Sequence, residues 1–246
     1  MQSGEEGASP SALAGIDAGQ ERQYRKECCD FIANLAFKLR LPQRVIATAC
    51  FYFHRFYARH SFAERFSDLL HALPQQWRED IAVACLFLAS KVEDTPRKIN
   101  DIVQALYGMK HPGLAALSPE SEEFTELRDG YFACEAVVLS TNEFVFDVHH
   151  PYKFAMAAVK RLYKNTMDPE KLRHVASTAW QLVNDSLRTT ICLHHRPQAV
   201  ACVVIHLASL YHSQPAPAVY TPKKWFEVYC PELSIDVMNR LCVEIL

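Results

Sequence analysis

The chain has 246 residues, half of them apolar and 22% charged, with a formal net charge of −2. That balance is globular rather than disordered, and no run of Lys and Arg is long enough to mark a nucleic-acid footprint. The longest apolar run, Ile81 to Ala89, is about half of the ~20 residues that a membrane span needs, and the polar start MQSGEEGASPS does not read as a signal peptide.

Helical periodicity dominates, and period-two alternation is not convincing anywhere. Seven glycines are too few for a chain of tight hairpins, so an all-α protein is expected. Residues 1–19 form a polar arm containing SPSALAGID. A first helix is expected over Gln20–Arg40, with Tyr24, Cys28, Phe31, Ile32, Leu35 and Leu39 along one side. Leu41–Pro42 breaks it, and a second helix runs to His60. Ser61–Gln76 reads as a long connection with a short helix of its own. The third helix covers Trp77–Val92 and is apolar on every side from Ile81 to Ala89, so it belongs at the centre of its bundle. Pro96 opens a fourth helix to Tyr107, and a fifth runs over Glu120–Asn142. FVFDVHHP links to the second half. There, helices are expected at Pro151–Lys164, Pro169–Leu187, Pro197–His212, Pro222–Tyr229 and Ser234–Leu246.

The third helix of each group carries nearly the same phrase, AVACLFLAS from Ala82 and AVACVVIHLAS from Ala199. Matched on AVAC the copies are 117 residues apart, and matched on LAS they are 119 apart. Chance recurrence of common core residues is the competing account. The same rank in both groups favours a duplicated architecture, with one domain over 20–146 and another over 151–246.

Chemistry is sparse. The chain has no phosphate-binding glycine loop, no G-x-S-x-G and no H-E-x-x-H, so an enzyme is not expected. His54 and His206 lie in apolar helices and read as core residues. Most of the nine cysteines, among them Cys50, Cys85, Cys134 and Cys202, sit in apolar stretches as reduced thiols of a cytosolic or nuclear protein. Cys192, His194 and His195 could offer metal ligands, but no second pair is spaced to complete a tetrahedral site. No metal and no cofactor is expected.

The two copies part at their ends. The second continues LYHSQPAPAVY. The first continues KVEDTPRKINDI, which gathers Lys91, Glu93, Asp94, Arg97 and Lys98 around a helix end, with Lys91 at the negative end of its dipole. Glu135 stands alone in YFACEAVVL, so its carboxylate should be partly withdrawn from water and should have a partner. Lys91 is the candidate. The pair is either a structural ion pair or part of a surface that another protein covers.

At these residues the chain resembles the transcriptional cyclins of the K and T type. The likeness runs from Ser9 to Leu246 through SPSALAGIDAGQERQYR, FYFHRFYARHSF, CLFLASKVEDTPRKINDI, FDVHHPYKF, NDSLRTTICL and PQAVACVVIHLA. It implies two tandem five-helix cyclin boxes, of which the first docks on a cyclin-dependent kinase. By motif, Lys91 and Glu135 would touch the kinase's regulatory helix, and Val92, Glu93, Leu139 and Phe144 match neighbouring interface positions. The implied protein is a nuclear, non-catalytic activating subunit that forms a heterodimer with its kinase. It would promote phosphorylation of the RNA polymerase II C-terminal domain and bind neither membrane nor nucleic acid. The alternative is a cyclin-fold general transcription factor of the transcription factor IIB kind, which would need a basic face. Two features depart from the family pattern: Val145 stands where an acidic residue is usual, and the 63–80 connection is long. The first helix also lacks the substrate-recruiting M-R-A-I-L of cell-cycle cyclins.

Overall fold

The computed structural model of the chain describes residues 8–64, 77–214 and 224–246. It divides into two compact units, Met1–Val148 and His149–Leu246. Among the described residues both units are helical and no strand occurs. Residues 65–76 of the expected long connection lie outside the described residues, as do residues 1–7 of the arm and the start of the Pro222–Tyr229 helix.

In the first unit a short helix, α1 (Pro10–Leu13), is followed by five long ones: α2 (Ala18–Lys38), α3 (Gln43–Tyr57), α4 (Trp77–Val92), α5 (Ile99–Lys110) and α6 (Glu122–Thr141). Side chains at the ends set their limits. Asp17 accepts hydrogen bonds from the N–H groups of Gly19 and Gln20, at 2.8 and 3.0 Å, so α2 begins two residues before Gln20. Ser121 caps α6 in the same way through Phe124 N–H. The fourth helix starts at Ile99 rather than Pro96. Arg97 instead reaches back from the preceding segment to the carbonyls of Leu39 (3.1 Å) and Arg40 (3.4 Å).

The central helix follows from composition. From Asp80 to Ser90 every residue of α4 is buried, and α2, α3, α5 and α6 all pack on it. An apolar circumference leaves no face for water, so this helix is enclosed by the others. Beside it, the buried Arg25 is satisfied by Glu21 (2.6 Å), the Tyr57 carbonyl (3.0 Å) and His54 (3.3 Å). The arm docks through two serines. Ser9 Oγ donates to Glu21 Oε2 at 2.7 Å, and Ser11 Oγ accepts from Phe62 N–H at 3.1 Å.

The second unit runs α7 (Pro151–Tyr163), α8 (Pro169–Ser186), α9 (Ile191–His194), α10 (Pro197–Tyr211), a 3₁₀ turn at Trp225–Val228 and α11 (Ile235–Ile245). Its central helix is α10, buried from Ala199 to Ile205 and packed by α7, α8 and α11. Two details differ from the sequence reading. The one-turn α9 was not expected, and the fourth helix is reduced to the 3₁₀ turn. There Trp225 and Phe226 are buried side by side, and Pro231 stops the segment.

Candidate functional site

Both central helices end in the same way, and their ends differ in chemistry. Ser90 and Ser209 are each buried in the last turn. Four residues further on, Asp94 (φ 53°) and Ser213 (φ 51°) take left-handed backbone. The N–H of the next residue then closes a six-residue turn, Thr95 to the Ser90 carbonyl at 3.0 Å and Gln214 to the Ser209 carbonyl at 2.8 Å. The 119-residue match on LAS therefore holds through the caps.

Lys91 and Leu210 occupy equivalent places in these turns. Lys91 Nζ donates to both oxygens of Glu135, each at 2.8 Å, and sits 3.7 Å over the Phe87 ring. The lysine side chain is 42% exposed and the glutamate 9%. Deprived of most of its water, the Glu135 carboxylate is compensated by this bidentate cation, which the negative end of the α4 dipole also favours. The buried residues of α11, which packs on α10, are Met238, Leu241, Cys242 and Ile245, with no carboxylate among them. Leu210, 60% exposed, offers no cation. The charged pair belongs to one unit only.

Of the remaining candidate residues, Val92, next in sequence to Lys91, is half-buried, and Leu139 lies one turn beyond Glu135 on α6, also half-buried. Phe144 is 64% exposed just past that helix, where Glu143 and Phe144 are both left-handed (φ 54° and 56°). The segment is tied to α3 and the turn after it: Tyr52 Oη donates to the Phe146 carbonyl (3.2 Å), Arg55 to the Val145 carbonyl (3.3 Å), and Arg59, past the end of α3, pairs with Glu143 (2.9 Å). Val145, in the usually acidic place, is held by its backbone, which requires no carboxylate. Burial, and then the charge of Glu93, push the Tyr52 phenol up to about 12, so it serves as a donor across the physiological range.

Glu93 is not presented as the others are. Its carboxylate turns inward to α3, accepting from Thr48 Oγ1 and pairing with Arg44 Nε, both at 2.6 Å. Sequence reasoning missed Arg44, and it also missed the aromatic wall beside the pair. Phe87 is buried four residues before Lys91, and Phe132, three before Glu135, is 44% exposed and packs against Phe87 at 6.0 Å. Helical spacing puts those rings beside the two charges and could have exposed them. Among the described residues no group of three His, Cys, Asp or Glu side chains is placed to hold a metal, and no helix is long and apolar enough to cross a membrane.

Two helical units, each wrapped around a buried third long helix with the same terminal cap, form the arrangement of the cyclin fold. The chain belongs to the cyclin family: residues 5–144 match the family described as cyclin, N-terminal domain. Residues 159–246 match the Cyclin-T2-like, C-terminal domain. Cyclin-T1-5 of Arabidopsis thaliana is 35% identical over 238 residues, covering 95% of this chain and 38% of the relative. Cyclin-K of Homo sapiens is 32% identical over 244 residues, covering 97% of this chain and 38% of the relative. The chain thus spans about two fifths of the length of these curated relatives. A solved structure of the yeast RNA Pol II CTD kinase CTDK-1 complex contains a chain of the same fold. The TM-score is 0.71 at 16% identity, over 94% of this chain and 66% of that one.

Proposed function

We propose that this chain is the regulatory subunit of a transcriptional cyclin-dependent kinase, and that the Lys91–Glu135 end of the first unit is its kinase-docking face. The observation that carries the reading is the ion pair itself, fixed between α4 and α6, flanked by the exposed Phe132 that packs on Phe87, and absent from the matching end of the second unit. An apolar surface with a nearly buried carboxylate and its half-exposed cation at its centre is the composition of a specific interface. In this reading Val92 and Leu139 extend the apolar surface. The docked face pushes the kinase's regulatory helix inward, so that the kinase's own Lys–Glu pair forms. The energetics are those of population shift: the subunit binds the active arrangement more tightly than the inactive one. It contributes no catalytic group of its own. The transcriptional assignment, the RNA polymerase II C-terminal domain as substrate and a nuclear location are supported by the relatives' names and by the CTDK-1 complex that shares the fold.

The test is recovery of the associated kinase from nuclear extract, identified by mass spectrometry, followed by reconstitution with Lys91→Glu and Glu135→Lys. Each charge reversal is expected to abolish activation while helical circular dichroism is retained. Normal activation by either folded variant would remove the site from these residues.

A further inference from the structure

Glu93 belongs to the same KVEDTP phrase as Lys91, yet its surroundings give it a different task. Both carboxylate oxygens are used inside the chain, Oε1 by Thr48 and Oε2 by Arg44. Arg44 also donates from Nη2 to the Glu93 carbonyl at 2.9 Å, so one guanidinium holds both the side chain and the backbone of this residue. Thr48 is fully buried, and the Glu93 side chain is 15% exposed. A carboxylate with a short bond to each oxygen from one neighbouring helix, on a residue whose carbonyl the same helix also holds, has little left to offer a partner.

The second unit repeats the device with different chemistry. At the position equivalent to Glu93 stands His212, and a hydrogen bond of 2.8 Å joins its Nε2 to Thr178 Oγ1 on α8. In both units, then, a threonine from the second long helix holds the residue that ends the central helix, next to the left-handed Asp94 or Ser213. The fastening survives in the unit that lacks the Lys–Glu pair. It therefore serves the helix end, and not the contact made by the pair.

We infer that Glu93 is a positioning residue, and that Arg44, Thr48 and Glu93 form a latch that fixes the last turn of α4 and with it the direction of Lys91. The latch rests on the docking function proposed above. It removes Glu93 from the residues that touch the kinase and adds Arg44 to those on which docking depends. Without the latch the cap has only its own backbone bonds to hold a non-glycine residue, Asp94, at positive φ, a conformation that L side chains disfavour.

The experiment measures binding to the kinase that co-purifies with the chain, below the melting temperature of every variant. Arg44→Ala is expected to weaken binding about tenfold, with kcat at saturating subunit unchanged. Adding Glu93→Ala to Arg44→Ala should weaken it no further. The swapped pair Arg44→Glu with Glu93→Arg should recover most of the loss, which a general loss of packing would not allow. If Glu93 instead touches the kinase, Arg44→Ala binds like the wild type and Glu93→Ala alone is weak. That result overturns the inference. A wild-type chain that captures no cyclin-dependent kinase would fail the docking function itself, and the two outcomes are thereby told apart.

Discussion

A carboxylate buried against apolar neighbours is costly unless its partner is close, and the first unit contains two with opposite solutions. Glu135 has Lys91. Removing the cation by Lys91→Met leaves a nearly buried charge with part of its solvation, and is expected to lower stability by about 1–3 kcal/mol in urea unfolding. Asp80, in the first turn of α4, has no such rescue. It is 2% exposed, its Oδ2 has no hydrogen-bond partner, and burial pushes its carboxyl from 3.8 up to about 7, with Lys110 of α5 pulling down and Glu79 pushing up. Tyr131 and Cys134 of α6 feel its charge in turn. Because the folded state holds this proton more tightly than the unfolded state does, the stability that Asp80 confers is full below about pH 4 and is lost as pH rises to about 7. Asp80→Asn should therefore gain melting temperature over the wild type across that window, with the difference level above it. The thiols show the same physics without a pair. Burial raises Cys28, Cys134 and Cys202 to about 12, so at pH 8 a thiol reagent should label the half-exposed Cys192 first and the buried ones only on unfolding.

At the scale of elements, the shortage of glycine has a consequence. Helices commonly end on a left-handed glycine, but here Arg40, Asp94, Glu143 and Ser213 take that conformation. At Arg40 the strained residue is exposed, and the cap bond, Leu41 N–H to the Ala36 carbonyl at 2.9 Å, is made by backbone alone. Arg40→Gly should accordingly stabilise the chain by about 0.5–1 kcal/mol, as a shift in urea midpoint. The buried α4 sets the opposite limit. Leu86 is 0% exposed, and Leu86→Ala is expected to cost about 2–5 kcal/mol. Helix existence was legible because α4 and α10 are apolar all round and the others have one apolar side. Helix limits were less so, since Asp17, Ser121 and Arg97 move them through side-chain bonds that periodicity does not register.

For the whole molecule, each unit carries its own apolar core, the second being built on α10 with Ala155, Val175, Val183, Trp225 and Leu241. Residues 1–148 expressed alone are therefore expected to remain helical by circular dichroism and to unfold cooperatively. Non-cooperative melting of that piece would count against two separately folding units.

What the sequence determined by itself was the architecture and the candidate pair. Two enclosed helices at the same rank, and a lone glutamate among apolar neighbours that must find a cation, follow from solvation alone. What only the tertiary structure decided was how the neighbours divide the work. Glu93 and Lys91 are two residues apart in one phrase, but helical rotation sends one to α3 and the other to α6. The partners that fix their roles, Arg44 and Thr48 for one and Glu135 for the other, are brought close only by packing.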